Sequence, residues 1–236
     1  MRAKYAKFEL KPDLLTNLEI FESLDAEQRL DVLKHCEGRR YDARRQIVAH
    51  DEDGHDVFIL ISGRVQATMF SASGKVVTFQ ELRDGTMFGE LAALDERPRS
   101  ANIVAVTECR VIRLPAEFFR ELFWKNRSVG ESTLRKLTGM VRYLCTRVLE
   151  FHLLPVNDRI HAELYRLAGI EEVIDNRVTL SPRPTHADLA SRIGTHREAV
   201  TRELNALMRS GLIERSGRNL VINDVARLKE MVENMV

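Results

Sequence analysis

Between Tyr41 and Leu114 the apolar residues arrive in short runs broken by glycine turns; from Leu134 to Phe151 they arrive on a heptad. That change of period constrains the fold more than any other feature of the chain. The short runs are Gln46–Ala49, Asp56–Ile61, Arg64–Phe70, Val76–Phe79, Ala101–Val106 and Arg110–Leu114. Turn pairs stand between them at Asp53-Gly54, Ser62-Gly63, Ser73-Gly74 and Asp84-Gly85. Short strands at this spacing predict a small antiparallel barrel or roll. The residues before Tyr41 predict short helices, with Leu14, Leu18, Ile20, Phe21 and Leu24 apolar, then Leu30, Val32 and Leu33.

Beyond the strands the chain turns helical. Pro115 is suited to open a helix at its first turn, and Ala116 to Trp124 is amphipathic. A long helix is predicted from about Val129 to Leu153. Its apolar positions Leu134, Leu137, Val141, Leu144, Val148 and Phe151 alternate spacings of three and four, a heptad seam. Such a seam either packs on its own domain or joins a second copy of the chain. Pro155 marks a boundary by its helix-breaking geometry. A helix from about Asn157 to Leu167, a strand near Val178, and then helix, turn, helix and hairpin follow. The expected fold class is α+β in three parts: a β-roll domain over residues 1–127, a helix over 128–153, and a helical domain with a hairpin over 154–236.

Composition narrows the function classes. The 236 residues carry no apolar run near the length of a membrane span, and the basic start Met1–Phe8 has no signal core behind it. A cytoplasmic protein with no membrane partner is expected. Cys36, Cys109 and Cys145 are odd in number, widely spaced and form no Cys-x-x-Cys pair, which speaks against a disulfide framework or a thiolate metal site. Each is expected as a small buried hydrophobe. The seven histidines show no metal-ligand spacing, and no Gly-x-Ser-x-Gly or P-loop is present, so no enzyme and no prosthetic group are expected. The net charge of +1 announces no nucleic acid. From Arg183 to Arg218, however, seven arginines (183, 192, 197, 202, 209, 215 and 218) face four acids.

One stretch carries anion chemistry. In Phe88–Ala101, Arg99 offers a planar fork of donors for two phosphate oxygens. Backbone N–H groups at a helix start opened by Gly89, Glu90 and Leu91 would cradle the same anion, and Gly89 permits close approach. Glu90 accepts hydrogen bonds only, as a ribose 2′-hydroxyl requires. Ala92 and Ala93 leave space. By composition alone the segment also reads as a polar turn with surface charges. As a whole it resembles the phosphate-binding cassette of the cyclic-nucleotide-binding superfamily, Gly-Glu-Leu-Ala followed by Arg-Ser-Ala, matched here by Gly89–Ala92 and Arg99–Ala101. The resemblance implies that Glu90 takes the ribose, Arg99 the cyclic phosphate with Ser100 adding a hydroxyl, and Leu82 with Phe79 walls the base. In the bacterial members, polar side chains of the long helix cap the base. The aligned positions here are Leu144 and Cys145, followed by Thr146, so the usual hydroxyl pair is not in register. Cyclic AMP is the first expectation as allosteric ligand; cyclic GMP, or both, stays open.

A second constellation lies near the end. Thr185 and Asp188 are spaced as a capping box, Gly194 is placed to turn the chain, and Thr195 with Glu198 forms a second capping-box candidate. Val200, Leu204 and Leu207 lie on one side of the second helix; Arg197, Glu198, Thr201, Arg202, Asn205 and Arg209 gather on the other. Two capped helices on a glycine turn read as helix-turn-helix. Gly211 to Ile222 reads as a two-stranded wing with Arg215 and Arg218 near phosphates. Here the chain resembles the Crp–Fnr family of bacterial regulators over nearly its whole length, and Arg197–Arg202 matches that family's Arg-Glu-x-Val-x-Arg recognition helix. The resemblance implies a homodimer on double-stranded DNA, with Arg197, Glu198 and Arg202 reading base edges of a TGTGA-like palindrome. Thr201 lies on the same helix face, and Arg218 belongs to the DNA contacts of the wing. Backbone groups around Thr185, His186, Thr195 and His196 would hold phosphates, and RNA polymerase is a further partner. A family member answering a different signal, or active without ligand, is the alternative.

Overall fold

The computed structural model describes residues 5–16, 18–71, 74, 76–169 and 171–233. Met1–Lys4 of the basic start and Ser73 of the expected Ser73-Gly74 turn lie outside the described residues. The chain forms two compact units, Met1–Val141 and Arg142–Val236. The fold is mixed helix and sheet, α+β, as the sequence predicts.

In the first unit a strand β1 (Ala6–Phe8) precedes the helices α1 (Asp13–Thr16) and α2 (Ala26–His35), with a 3-10 turn at Glu19–Phe21 between them. The sheet strands are β2 (Glu37–Tyr41), β3 (Gln46–Val48), β4 (Val57–Ser62), β5 (Arg64–Phe70), β6 (Val76–Arg83) and β7 (Met87–Phe88). A short helix α3 (Glu90–Asp95) leads to β8 (Asn102–Ala105), β9 (Cys109–Leu114) and α4 (Ala116–Lys125); the long α5 spans Arg127–Leu153. Two antiparallel sheets result, ordered β1-β2-β9-β4-β7 and β3-β8-β5-β6.

The apolar run Val57–Leu60 is continuous because the strand is covered on both faces. Phe58 and Leu60 join Val65, Leu82, Phe88, Ile103 and Val111 between the sheets. Val57 and Ile59 face the other way, with Ile112 and Leu114, onto Leu15, Phe21, Phe119 and Val129 of the helical layer. Phe58 and Phe88 stack at 5.3 Å. Side chains of alternate parity thus serve two cores, and the cassette hangs from the strand between them.

β1 and β2 were not visible as strands in the sequence. Glu37–Tyr41 contains a glycine and two arginines and buries only Gly38 and Tyr41. Its extended form comes from pairing with β9, from Glu37 opposite Arg113 to Tyr41 opposite Cys109. That is a long-range contact no local propensity encodes.

The second unit contains α6 (Val156–Ala168), β10 (Val178–Leu180), α7 (His186–Ile193), α8 (Arg197–Arg209), β11 (Ile213–Ser216), β12 (Asn219–Ile222) and α9 (Val225–Glu233). Its sheet runs β10-β12-β11. Ile160, Leu164, Leu189, Ile193, Val200, Leu212 and Ile222 make one core. The last turns of α5 are tied into this unit. Arg147, 6% exposed, donates to Glu150 at 2.8 Å, to Glu163 at 3.2 Å and to the Arg192 carbonyl.

The heptad positions Leu134, Val141, Leu144, Val148 and Phe151 are 41–58% exposed. Cys145, on the same helix, is exposed too, while Cys109 is buried and Cys36 half-buried. The expectation of three buried cysteines is met at Cys109, only in part at Cys36, and fails at Cys145, which lies on an exposed surface of α5. Among the described residues no helix is long and apolar enough to cross a membrane.

Candidate functional site

The cassette is organised by one glycine. Gly89 takes φ 87°, the left-handed region, and turns β7 into α3. A Cβ there would lie 2.8 Å from Nη1 of Arg99 and 2.8 Å from the Asp56 carbonyl. Arg99 is 4% exposed. Its Nη1 donates to the Gly89 carbonyl at 3.1 Å and its Nη2 to the Asp56 carbonyl at 2.7 Å. Its Nε is buried with no hydrogen-bond partner among the described residues. The Arg99 backbone is fixed on both sides, its N–H donating to Glu52 and its carbonyl accepting from Asp51.

Among the described residues no carboxylate ion-pairs with Arg99: Asp56 is bound to Arg113 at 2.6 Å and Glu90 to Lys136 of α5. Burial pushes the Arg99 guanidinium down from its ordinary range, opposed by the fields of Asp56, Glu52 and Glu90. A buried cation with an unmet donor and only neutral acceptors is an incomplete arrangement; an anion completes it. The first N–H groups of α3, at Leu91 and Ala92, have no acceptor within the helix itself. Ala92 and Ala93 are buried.

The other expected cassette residues fall as follows. Glu90 is 3% exposed. Leu82 lies in the core between the sheets, opposite Val65. Ser100 and Phe79 are exposed. Cys145 and Thr146 belong to the second unit; the Thr146 hydroxyl donates to the Arg142 carbonyl at 3.2 Å. Sequence reasoning missed Lys136, 46 residues from Glu90 and adjacent to the seam residue Leu137. It also missed Asn102, which holds the strand after the cassette by accepting from Gln46 and the His50 N–H and donating to Thr68. Neither sits in a local motif. Only a lysine beside an apolar seam hints at Lys136.

In the second unit the capping box of α7 is present, with Thr185 and Asp188 exchanging bonds at 2.9 and 3.1 Å. Gly194 ends the helix at φ 63°. The second expected capping box is not formed: α8 is capped by His196 with no side-chain bond. The Thr195 N–H instead closes the turn on the Ala190 carbonyl at 3.1 Å. Closing that turn delays the helix by one residue, so Thr195 stands outside the cap position and Glu198 in the first turn.

On the outer face of α8, Arg197, Glu198 and Arg202 are exposed. The half-buried Thr201 hydroxyl donates to the Arg197 carbonyl at 2.8 Å. Arg218 is exposed at the β11–β12 turn, its carbonyl accepting from the Arg183 N–H at 2.9 Å. One arginine of the seven is corrected: Arg192 is 5% exposed and bound to Glu163 inside the unit. Three of the four acids are engaged, Glu203 with His161 at 2.7 Å, Glu214 with Arg177 at 2.9 Å and Asp188 in its cap, while Glu198 is exposed beside Arg197. Arg183, Arg197, Arg202, Arg209, Arg215 and Arg218 are exposed, and among the described residues none is ion-paired to a carboxylate. Six of the seven arginines thus stay at the surface, as a phosphate-binding face requires.

Residues 38–126 match the family model for the cyclic nucleotide-binding domain, and residues 158–231 match the Crp-like helix-turn-helix domain. Curated relatives span nearly the whole chain. A CRP-like cAMP-activated global transcriptional regulator of Mycobacterium tuberculosis is 25% identical over 219 residues, covering 92% of this chain and 97% of that one. The cyclic AMP receptor protein of Thermus thermophilus is 28% identical over 214 residues, covering 90% and 95%. The chain belongs to the Crp–Fnr family.

The fold of this Crp–Fnr protein agrees with a solved regulator assigned to the same family from Eubacterium rectale, at a TM-score of 0.71 and 19% identity, covering 91% of this chain and 97% of the other. As a Crp–Fnr member it is a transcription regulator and not an enzyme, joining a cyclic nucleotide-binding domain to a DNA-binding helix-turn-helix domain. Among the described residues no group of three or more His, Cys, Asp and Glu side chains is placed to hold a metal ion.

Proposed function

We propose that this Crp–Fnr regulator is switched by a 3′,5′-cyclic nucleotide, cyclic AMP first, and reads palindromic TGTGA-like half-sites as a homodimer in the cytoplasm. Arg99 carries the reading. It is a buried guanidinium that, among the described residues, has no partner for its Nε and pairs with no carboxylate, and it is bonded to the Gly89 carbonyl at the start of α3. The cyclic phosphate carries one charge that is not shed at neutral pH, and it supplies the missing acceptors. Glu90 takes the ribose 2′-hydroxyl, Gly89, Leu91 and Ala92 line the phosphate with Ser100 adding a hydroxyl, Leu82 walls the base, and Cys145 and Thr146 are the long-helix residues that the family resemblance assigns to it. The names of the relatives, cAMP-activated regulator and cyclic AMP receptor protein, support cyclic AMP over cyclic GMP.

Residues 128–153 serve as the dimerisation helix between the roll domain 1–127 and the winged helix-turn-helix domain 154–236. The exposure of Leu134, Val141, Leu144, Val148 and Phe151 supports this, since a heptad row left to water is costly. Arg197, Glu198, Thr201 and Arg202 enter the major groove, while Arg218 and the backbone at Thr185, His186, Thr195 and His196 take phosphates. RNA polymerase is the partner of the DNA-bound dimer. The ligand acts only through its greater affinity for the DNA-competent state. One observation favours the second reading, a regulator that answers another signal: the Glu90 carboxylate is already held by Lys136.

The test is calorimetric titration with cyclic AMP and with cyclic GMP, paired with affinity for a TGTGA palindrome. Saturable binding of cyclic AMP with a matching gain in DNA affinity is expected. DNA binding without response to either nucleotide would favour the second reading.

A further inference from the structure

His186 opens α7, and both of its ring nitrogens are engaged within the second unit. Nε2 faces Nη2 of Arg215, on β11 of the wing, at 3.4 Å. Nδ1 lies 2.6 Å from Oγ1 of Thr201 on α8. The Thr201 hydroxyl in turn donates to the Arg197 carbonyl at 2.8 Å.

The proton positions follow from what each group can do. A guanidinium only donates, so Nε2 must accept. A neutral imidazole accepting at Nε2 carries its hydrogen at Nδ1, which donates to Thr201. The Thr201 oxygen accepts that bond and spends its own hydrogen on Arg197. Every donor and acceptor is matched, in one direction, from the wing to the first turn of α8. The charged groups that face the ring are all cations: Arg215 from β11, Arg183 from the segment before α7, and Arg197 from α8. The nearest acid of its own helix, Asp188, is turned to Thr185. Burial and these three arginines hold the ring below the ordinary histidine range and so in its neutral form.

We infer that His186 is a positioning residue for DNA reading, its neutral ring tying the wing, through Arg215, to the recognition helix, through Thr201 and the Arg197 carbonyl. The inference rests on the reading that α8 and the wing meet DNA. An exposed arginine loses rotamer freedom when it takes a phosphate; a side chain already held loses less. His186 therefore acts through Arg215 and Thr201, and its ring adds no phosphate contact of its own.

Salt dependence separates this role from a merely structural one. The probe is a duplex with two TGTGA half-sites, titrated with full-length protein and cyclic AMP at about pH 8 over a salt series, where each phosphate contact adds about one unit to the slope. H186A removes no charge at that pH, yet it is expected to lower the slope by about one, as R215A does. The double variant H186A/R215A is expected to match R215A alone. H186K is expected to bind no better than H186A.

An unchanged slope in H186A, additive losses in the double variant, or wild-type affinity in H186K would each overturn the proposal. If no duplex is bound at all, the DNA reading fails first, and nitrogen NMR of the free protein still decides the relay. A neutral ring with hydrogen on Nδ1, and an Nε2 resonance that moves in R215A, are expected. Hydrogen on Nε2 overturns it.

Discussion

Gly89 and Arg99 exclude any side chain between them: the guanidinium donates to the Gly89 carbonyl at 3.1 Å, and a Cβ on Gly89 would stand 2.8 Å from the same Nη1. The backbone conformation at Gly89, φ 87°, adds to the penalty. Gly89→Ala is therefore expected to cost about 1–3 kcal/mol of stability and to displace Arg99 from the anion site. Thermal melting with and without cyclic AMP measures both effects. The variant should melt lower and show a much smaller shift with ligand.

Lys136 and Glu90 form an ion pair in which Glu90 is 3% exposed. Removing one partner of such a pair leaves a buried charge uncompensated, whereas removing both is mild. Lys136→Met should destabilise the ligand-free protein by about 3 kcal/mol, and the double variant with Glu90→Gln should recover most of that loss. Urea unfolding of the four proteins gives the coupling directly. Losses that simply add would show that the pair does not carry the site.

The three thiols should separate in reactivity. Burial pushes the Cys36 thiol up to about 12 and raises that of Cys109, so neither offers thiolate at neutral pH. Cys145 is exposed in the chain. A maleimide should label Cys145 first, with Cys36 and Cys109 reacting only on unfolding. Under the proposed assignment of Cys145 to the base site, cyclic AMP should slow that labelling.

The strands β3 to β6, β8 and β9 and the heptad were legible in the sequence because each is a local pattern of apolar spacing; the two-residue β7 was too short to show one. What was not legible depends on partners distant in the chain. Glu37–Tyr41 becomes a strand because β9 supplies its hydrogen bonds. Thr195 loses its cap role because the turn closes on Ala190. Arg192 leaves the basic face because Glu163, 29 residues earlier, holds it inside. The cassette residues Gly89, Glu90 and Arg99 were legible as a motif, but Lys136, brought to Glu90 by the long helix, was not.

The neutral ring of His186 has a consequence for pH. Its folded value lies below the ordinary 6.5, so the unfolded chain takes up a proton as pH falls through 6.5 while the folded ring refuses it. Stability is therefore expected to be unaffected by this group above 6.5 and to fall below it. His186→Gln should flatten that part of the profile. Urea midpoints between about pH 8 and about pH 5 measure it; an identical profile in the variant would assign the slope to other groups.

The most direct test of the central claim is calorimetric titration of cyclic AMP into the wild-type protein and into Arg99→Ala, each checked for folding by circular dichroism. The wild type is expected to bind saturably, and the folded variant to lose at least about tenfold in affinity, the equivalent of one charge-assisted contact of about 1.4 kcal/mol or more. Equal affinity in the two proteins would contradict the assignment of Arg99 to the cyclic phosphate.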